Sequence, residues 1–497
     1  MYPYPGNPVM DLYTHTAFVF TEFLNKDVFR ILKVEPLVVP ITFLQMSLHV
    51  DQEAAFKAVR EGRNVFITGP AGAGKSYLLS VIMKWASISD KTVALTALTG
   101  CAAILLGNNA KTLHSWAGVG IAKEPAHILV TAIERNFFTK RRWRKTDILI
   151  IDEISMMTPD FFEKLDVIGR AVRRKARAFG GLQLVLCGDF FQLPPVSRGI
   201  SGEGTGRFAF ESPTWTSCGL QPTVLHQIER QKDPVFQKVL NECRIGKPSE
   251  ETVKALAART NLDWKSRTIK PTLLFSRNAE VDAINEKNIA ALKKPMRPFN
   301  AITVTVSAAV DEEVIPPPVG DRLTHLLHRL DNDSPYCASL ELCVGAQVML
   351  LANLDVEKGL VNGSRGIITE FRADGIPIVQ FLKGAPIAIE FHSWSSPEHA
   401  GVMRRQIPLR VAYAITIHKS QGATLDCALV DIGLSTFECG QAYVALSRVR
   451  DMESLYIFTL DASKIRAHPS VVAFYESLEE EEPAKASTKA PATLSLV

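Results

Sequence analysis

Gly69-Pro70-Ala71-Gly72-Ala73-Gly74-Lys75-Ser76 fits the pattern G-x-x-x-x-G-K-[ST], and its flanks decide how it is read. Asn64-Val65-Phe66-Ile67-Thr68 before it reads as a short apolar strand, and residues 77–85 after it as an apolar helix. Glycines 69, 72 and 74 let backbone N–H groups turn toward phosphate oxygens, Lys75 reaches the terminal phosphates, and the Ser76 hydroxyl ligates magnesium. The whole loop, with Pro70, Ala71 and Ala73, is the candidate nucleotide cradle. A glycine-rich turn serving only to start a helix is the alternative, and the strand-and-helix frame argues against it.

A phosphate loop needs an acidic strand end. Asp147-Ile148-Leu149-Ile150-Ile151-Asp152-Glu153 supplies one, an apolar strand emerging at two carboxylates. Asp152 is placed to hold magnesium through water, and Glu153 to orient and deprotonate the attacking water. Gly188-Asp189-Phe190-Phe191-Gln192-Leu193-Pro194-Pro195 follows a further apolar strand, so Gln192 stands at the sheet's carboxyl edge, where a polar amide can sense the γ-phosphate. Adenine is favoured over guanine because no Asn-Lys-x-Asp motif occurs and because Gln52, just upstream of the first strand, can pair adenine's N6/N7 face. By itself Gln52 is weak evidence, since a surface glutamine at a helix start is the commoner explanation.

From Gln52 onward helical stretches alternate with apolar β-rich runs at 64–68, 92–96, 148–151, 182–187, 272–275 and 427–431, which predicts an α/β fold with parallel sheets in two lobes. The Val/Ala-rich, then proline-rich passage 304–320 reads as a connector or surface loop, and the short runs 366–371, 377–381 and 387–391 as a small β-barrel. The 497 residues, with 46% hydrophobic and 22% charged side chains, belong to a folded chain of several domains. A net charge of +4 does not by itself announce a polyanion partner. Eight cysteines without a Cys-x-x-Cys pair indicate neither a zinc ribbon nor a disulfide framework and fit a reducing compartment. No apolar run reaches the ~20 residues of a membrane span, and Met1 is not followed by a signal-like segment. A soluble protein, away from membranes, is expected.

Taken together, the motifs resemble those of the petite integration frequency (PIF) family of superfamily 1 DNA helicases, related to RecD. Besides the loop, the acidic pair and 188–195, the matching residues are Leu95-Thr96-Ala97-Leu98-Thr99-Gly100, Thr112-Leu113-His114-Ser115-Trp116-Ala117-Gly118, Glu229-Arg230-Gln231 and Leu274-Phe275-Ser276-Arg277-Asn278. Further on come Thr416-Ile417-His418-Lys419-Ser420-Gln421-Gly422 and Ala442-Tyr443-Val444-Ala445-Leu446-Ser447-Arg448. Phe161-Phe162-Glu163-Lys164-Leu165-Asp166 and the following residues 170–174 resemble the segment, between the acidic pair and Gly188, that sets this branch apart.

The resemblance implies two RecA-like P-loop NTPase lobes with a small wedge insertion and a small SH3-like β-barrel insertion. The expected divisions are an N-terminal extension (1–45), a first lobe (46–222, wedge about 119–146), a second lobe in two parts (223–365 and 411–476), the barrel (366–410) and a disordered tail (477–497). It also implies catalytic roles for Lys75, Asp152, Glu153 and Gln192, with Arg230 and Arg448 reaching the γ-phosphate of ATP as transition-state cations.

Candidate single-strand contacts by resemblance are Thr99, His114, Ser115, His418, Lys419, Ser420 and Thr424; for the two histidines a satisfied core position is the alternative, and the more common fate of a lone His. The basic run Lys140-Arg141-Arg142-Trp143-Arg144-Lys145 falls in the wedge, where Trp143 offers a stacking surface for DNA, a solvated charge run being the alternative, and Arg404-Arg405 is placed to touch backbone. A monomer acting 5′ to 3′ on single-stranded, forked or G-quadruplex DNA is implied, in replication, repair, recombination and telomere maintenance, and in the nucleus or alternatively the mitochondrion. A nucleic-acid-stimulated remodeller without unwinding is the other reading.

Overall fold

The computed structural model describes residues 48–107, 110–195, 207–310, 313–355, 358–382, 384–396, 399 and 401–486. The expected N-terminal extension, 1–45, lies outside them. Strands β1 (Val65–Thr68), β2 (Val93–Ala97), β3 (Lys111–Thr112), β4 (Ile148–Asp152), β5 (Gln183–Cys187) and β6 (Gln221–Val224) form one sheet in the order β3-β2-β4-β5-β1-β6. Every pairing is parallel. β1 and β4 are buried along their whole length, which is why they read as unbroken apolar runs rather than alternating ones.

Parallel neighbours need crossovers, and the helix Lys75–Ile88 makes the one from β1 to β2, packing Leu78, Leu79 and Ile82 into one core layer. Phe161, Phe162 and Leu165 of the helix Pro159–Arg173 belong to a separate core cluster with Leu149, Ile151 and Leu186. That helix starts where Thr158 accepts a hydrogen bond from the Phe161 N–H and Pro159 occupies the first turn. The phosphate loop, Asp152 and Gly188 all leave the sheet at strand carboxyl ends, the edge where open α/β sheets bind ligands.

A second parallel sheet joins Ala414–Thr416, Thr272–Phe275, Ala428–Ile432 and Leu455–Leu460 in that spatial order. Leu274, Ile415, Val430 and Tyr443 lie in its core. Between its first two strands in sequence, the chain builds a five-stranded antiparallel sheet from Ile387–Ala388, Pro377–Phe381, Arg365–Phe371, Gln347–Leu350 and Leu409–Val411.

Two expectations are corrected. The passage 304–320 is not simply a connector: Ile302–Thr305 pairs with Val402–Gln406, and Ala308–Val310 pairs with Glu313–Ile315 as a hairpin. Its Val and Thr residues favour extended backbone, and the prolines act only after it. The acidic run expected to open a disordered tail instead continues the helix Pro469–Ala486. Val471 and Tyr475 anchor that helix in the core of the first sheet, and glutamate is a good helix former once the helix is nucleated. Residues 487–497 lie outside the described residues.

Candidate active site

At the carboxyl edge of the first sheet the phosphate loop is locked by its neighbours. Gly72 has φ +85°, and a Cβ there would meet Arg230 Cβ at 2.6 Å; Gly74, at φ +78°, precedes the first residue of the helix Lys75–Ile88 and lies against Gln52 Nε2. Only glycine fits this combination of backbone and close approach. The Lys75 ammonium donates to the carbonyls of Gly69 (2.7 Å) and Pro70 (2.9 Å), so its charge stays inside the loop. From the opposite side the Tyr443 hydroxyl accepts the Ala71 N–H at 2.7 Å.

Lys75 and Ser76 open on a cavity of about 340 Å³ that Asp152, Glu153 and Gln192 line from the first sheet, and Arg230, Gly422 and Arg448 from beyond it. Six predicted catalytic residues therefore share one wall-to-wall space, although Arg230 and Arg448 lie far along the chain from the loop. Asp152 ends β4 and accepts the Glu153 N–H at 2.9 Å. Burial raises its pKa. Glu153 has φ 56° and ψ 41°, a left-handed backbone that costs a non-glycine residue about 1 kcal/mol or more. Burial and then the neighbouring Asp152 charge push the Glu153 carboxyl up to about 7. Such a shift suits a proton acceptor working near neutrality.

Two guanidiniums face this acidic pair. Arg448 is buried, donating to the carbonyls of Val444 (2.7 Å), Ser420 (3.2 Å) and Ala423 (3.3 Å) and to the Ser447 hydroxyl (2.6 Å). Burial and the nearby Arg230 cation push its pKa down to about 9. Burial likewise lowers that of Arg230, which donates to the Ser447 carbonyl at 3.2 Å. Two desolvated cations beside each other form a site that an anion would stabilise. Gln192 stands in the same wall, its N–H bonded to the Asp189 carbonyl at 2.9 Å.

Gln52 lies beside the loop rather than in the cavity lining. It is buried, with its Oε1 accepting the His49 N–H at 3.1 Å and closing the start of the helix Val50–Arg60. The candidate strand contacts stand on both sheets. Thr99 caps the helix Gly100–Leu106 by accepting the Ala102 N–H. His114 stacks on Phe161 with centroids 4.3 Å apart, and the neighbouring Ser115 hydroxyl is buried without a partner among the described residues. Burial lowers the pKa of both His114 and His418 and so favours their neutral forms. Lys419 is exposed and Thr424 half-buried, whereas the Ser420 hydroxyl turns inward to the Ile417 carbonyl.

Trp143 is not the stacking surface expected of it. It is fully buried, donates its indole N–H to the Ala117 carbonyl at 3.0 Å and packs on Trp116. An amphipathic ring with a hydrogen-bond partner inside is more stable there than in water. Around it Lys140 pairs with Glu134, and Arg144 bonds the Val172 carbonyl. Arg404 is held by Asp331 at 2.6 Å, and Arg405 lies over Phe391.

Sequence reasoning passed over Gln421, whose Nε2 donates to Glu153 Oε2 at 2.8 Å, and Tyr443, although both lie inside quoted motifs. It also missed Arg244, which no local signal marks. Among the described residues no group of three or more His, Cys, Asp or Glu could hold a metal, and no helix is long and apolar enough to cross a membrane.

Residues 47–253 match the model of the PIF1-like helicases, and residues 325–371 that of the 2B domain of the DNA helicase Pif1. The ATP-dependent DNA helicase PIF1 of Danio rerio is 39% identical over 450 residues, which cover 90% of this chain and 66% of that relative. The chain thus spans just under two thirds of that relative's length. The crystal structure of Pif1 helicase from Candida albicans is 34% identical and superposes with a TM-score of 0.70, covering 87% of this chain and all of that one. The Bacteroides Pif1 helicase in complex with ADP-AlF3 and single-stranded DNA is 28% identical with a TM-score of 0.61, covering 88% of this chain and 98% of that one.

Proposed function

The chain belongs to the PIF1-like helicase family, and we propose that it is an ATP-dependent DNA helicase that moves 5′ to 3′ along single-stranded DNA and unwinds duplexes. One observation carries this reading: the phosphate loop and acidic pair of one parallel sheet share a cavity with Arg230 and with Arg448 from the segment between strands of the other. A nucleotide whose phosphates lie on Lys75 and between two arginines ties the two sides together, and its hydrolysis releases them. A strand held by both sides is then moved one step per cycle.

ATP is the nucleotide by the family's reaction, and the complex of the Bacteroides relative with ADP-AlF3 supports it. The site suits magnesium: the Ser76 hydroxyl and the Asp152 carboxylate are the hard oxygen donors this ion takes, and a buried carboxylate with a raised pKa gains from a cation beside it. Bound there, magnesium would neutralise charge on the phosphates. Glu153 would accept the proton of the attacking water, Gln192 would sense the γ-phosphate, and Gln52 would support the loop near the base.

Thr99, His114, Ser115, His418, Lys419, Ser420 and Thr424 form the proposed strand path, supported by the single-stranded DNA bound to that same relative. Forked and G-quadruplex DNA as substrates, action as a monomer, roles in repair, recombination and telomere maintenance, and residence in the nucleus or mitochondrion are part of the same proposal. Strand separation tests it. A 5′-tailed duplex should be unwound in ATP and magnesium and a 3′-tailed one should not. DNA-stimulated ATPase activity without strand separation would favour the remodeller instead.

A further inference from the structure

Glu153 sits on left-handed backbone, and among the described residues its carboxylate has one hydrogen-bond partner, Gln421 Nε2 at 2.8 Å. The two are 268 residues apart: Glu153 follows β4 of the first sheet, and Gln421 caps the turn after the strand Ala414–Thr416 of the second. Gln421 is buried at 5% exposure, and its Oε1 has no partner among the described residues, so the amide is held there for its N–H end. Its backbone N–H bonds the His418 carbonyl at 3.3 Å, closing the short turn Ile417–Ser420 that carries His418 and the exposed Lys419. Gly422, the next residue, lines the nucleotide cavity, and a Cβ there would meet Leu105 at 2.9 Å. The same segment offers the Ser420 and Ala423 carbonyls to Arg448.

We propose that Gln421 is a positioning residue that couples the strand-facing turn 416–420 to the general base, so that a strand held at His418 and Lys419 sets the Glu153 carboxylate for hydrolysis. This rests on reading the cavity as an ATPase site. The turn is four residues of helix closed at both ends by its own hydrogen bonds, so it moves as a unit and carries the amide with it. A general base is worth about 10² to 10⁴ in rate, and a misplacement of about 1 Å forfeits about 10² of it. Gln421 therefore has enough leverage to make hydrolysis depend on the strand.

Gln421→Met keeps the length of the side chain and removes both hydrogen-bonding ends. The ratio of ATPase kcat with oligo-dT to that without it should fall about tenfold or more. KM for ATP and Kd for oligo-dT should stay within about threefold of wild type. Gln421→Asn, which keeps the amide but withdraws it by one methylene, should lose stimulation in the same way, and serves if the Met variant does not fold. In a Glu153→Gln background Gln421→Met should cost nothing more, because the two act as a unit. A stimulation ratio within about twofold of wild type, a rise in KM with kcat unchanged, or losses that multiply in the double variant would each overturn the coupling. A wild type without oligo-dT stimulation would instead defeat the functional reading, and the coupling with it.

Discussion

Asp152 and Glu153 close strand β4, and Asp189 follows the end of β5 beside it, so acidic groups leave the same sheet edge from neighbouring strands. Their surroundings differ. Asp189 is fully buried and bonded to Arg244 at 2.9 and 3.0 Å. The Arg244 guanidinium lies against the stacked pair of Phe191 and Tyr475, 4.5 and 5.2 Å from their centroids. Burial alone would lower the Arg244 pKa, and Asp189 more than offsets this and raises it. Among the described residues the Asp152–Glu153 pair has no such cation locked against it: Lys75 donates to loop carbonyls, and the carboxyl pKa values rise. One acidic group is closed for stability and the other left open for chemistry, and what separates them is the counter-ion that packing delivers.

The open side should give the largest response. Lys75→Ala removes the cation that meets the phosphates, and ATPase kcat should fall by about 10³-fold or more, with unwinding lost and part of the DNA binding kept. Residual hydrolysis near the wild-type rate would show that the cavity is not the reaction site. On the closed side, Asp189→Asn leaves the Arg244 cation buried without its counter-charge. Such a loss costs about 3–5 kcal/mol, read as a lower denaturation midpoint in urea.

Glu153→Gln should move stability in the opposite direction. A carboxyl whose folded pKa is raised to about 7 penalises the native state. That penalty is complete above pH 7 and vanishes below the unfolded value of about 4.3. Without nucleotide or magnesium the variant should therefore be more stable than wild type by about 1–2 kcal/mol at pH 8, the partial exposure of Glu153 already discounted, with the gap closing by pH 4. Melting curves at the two pH values check this, and a destabilised variant at pH 8 would erase the contrast between the two acidic groups.

The smallest effect belongs to Tyr475→Phe, which deletes the hydroxyl bonded to Thr68 Oγ1 at 2.5 Å and to the Phe190 N–H at 3.2 Å. About 1 kcal/mol should be lost by thermal melting, with ATPase kcat within about twofold of wild type. A larger kcat loss would mean that the closed side also tunes the chemistry.

Much of the site was legible before folding because its parts are short and local. Residues 69–76 specify their own turn through three glycines, and 148–153 is an apolar strand that ends at its carboxylates. Trp143 was misread because a tryptophan within a basic run looks exposed until Trp116 and Ala117 arrive to cover it. The tail at 479–482 was misread because acidic composition favours disorder only where nothing anchors the chain, and Tyr475 anchors it.

The amino-acid sequence by itself determined the phosphate loop, the acidic strand end and the parallel strands that carry them, since each needs only the backbone geometry and side chains of a few consecutive residues. Tertiary structure alone decided that Gln421 reaches Glu153 across 268 residues and that Tyr475 reaches Asp189 across 286. It also decided which acidic group receives an arginine. Charge pairing, burial and the pKa values that follow from them belong to the packed space between distant segments, and no short stretch of chain contains that information.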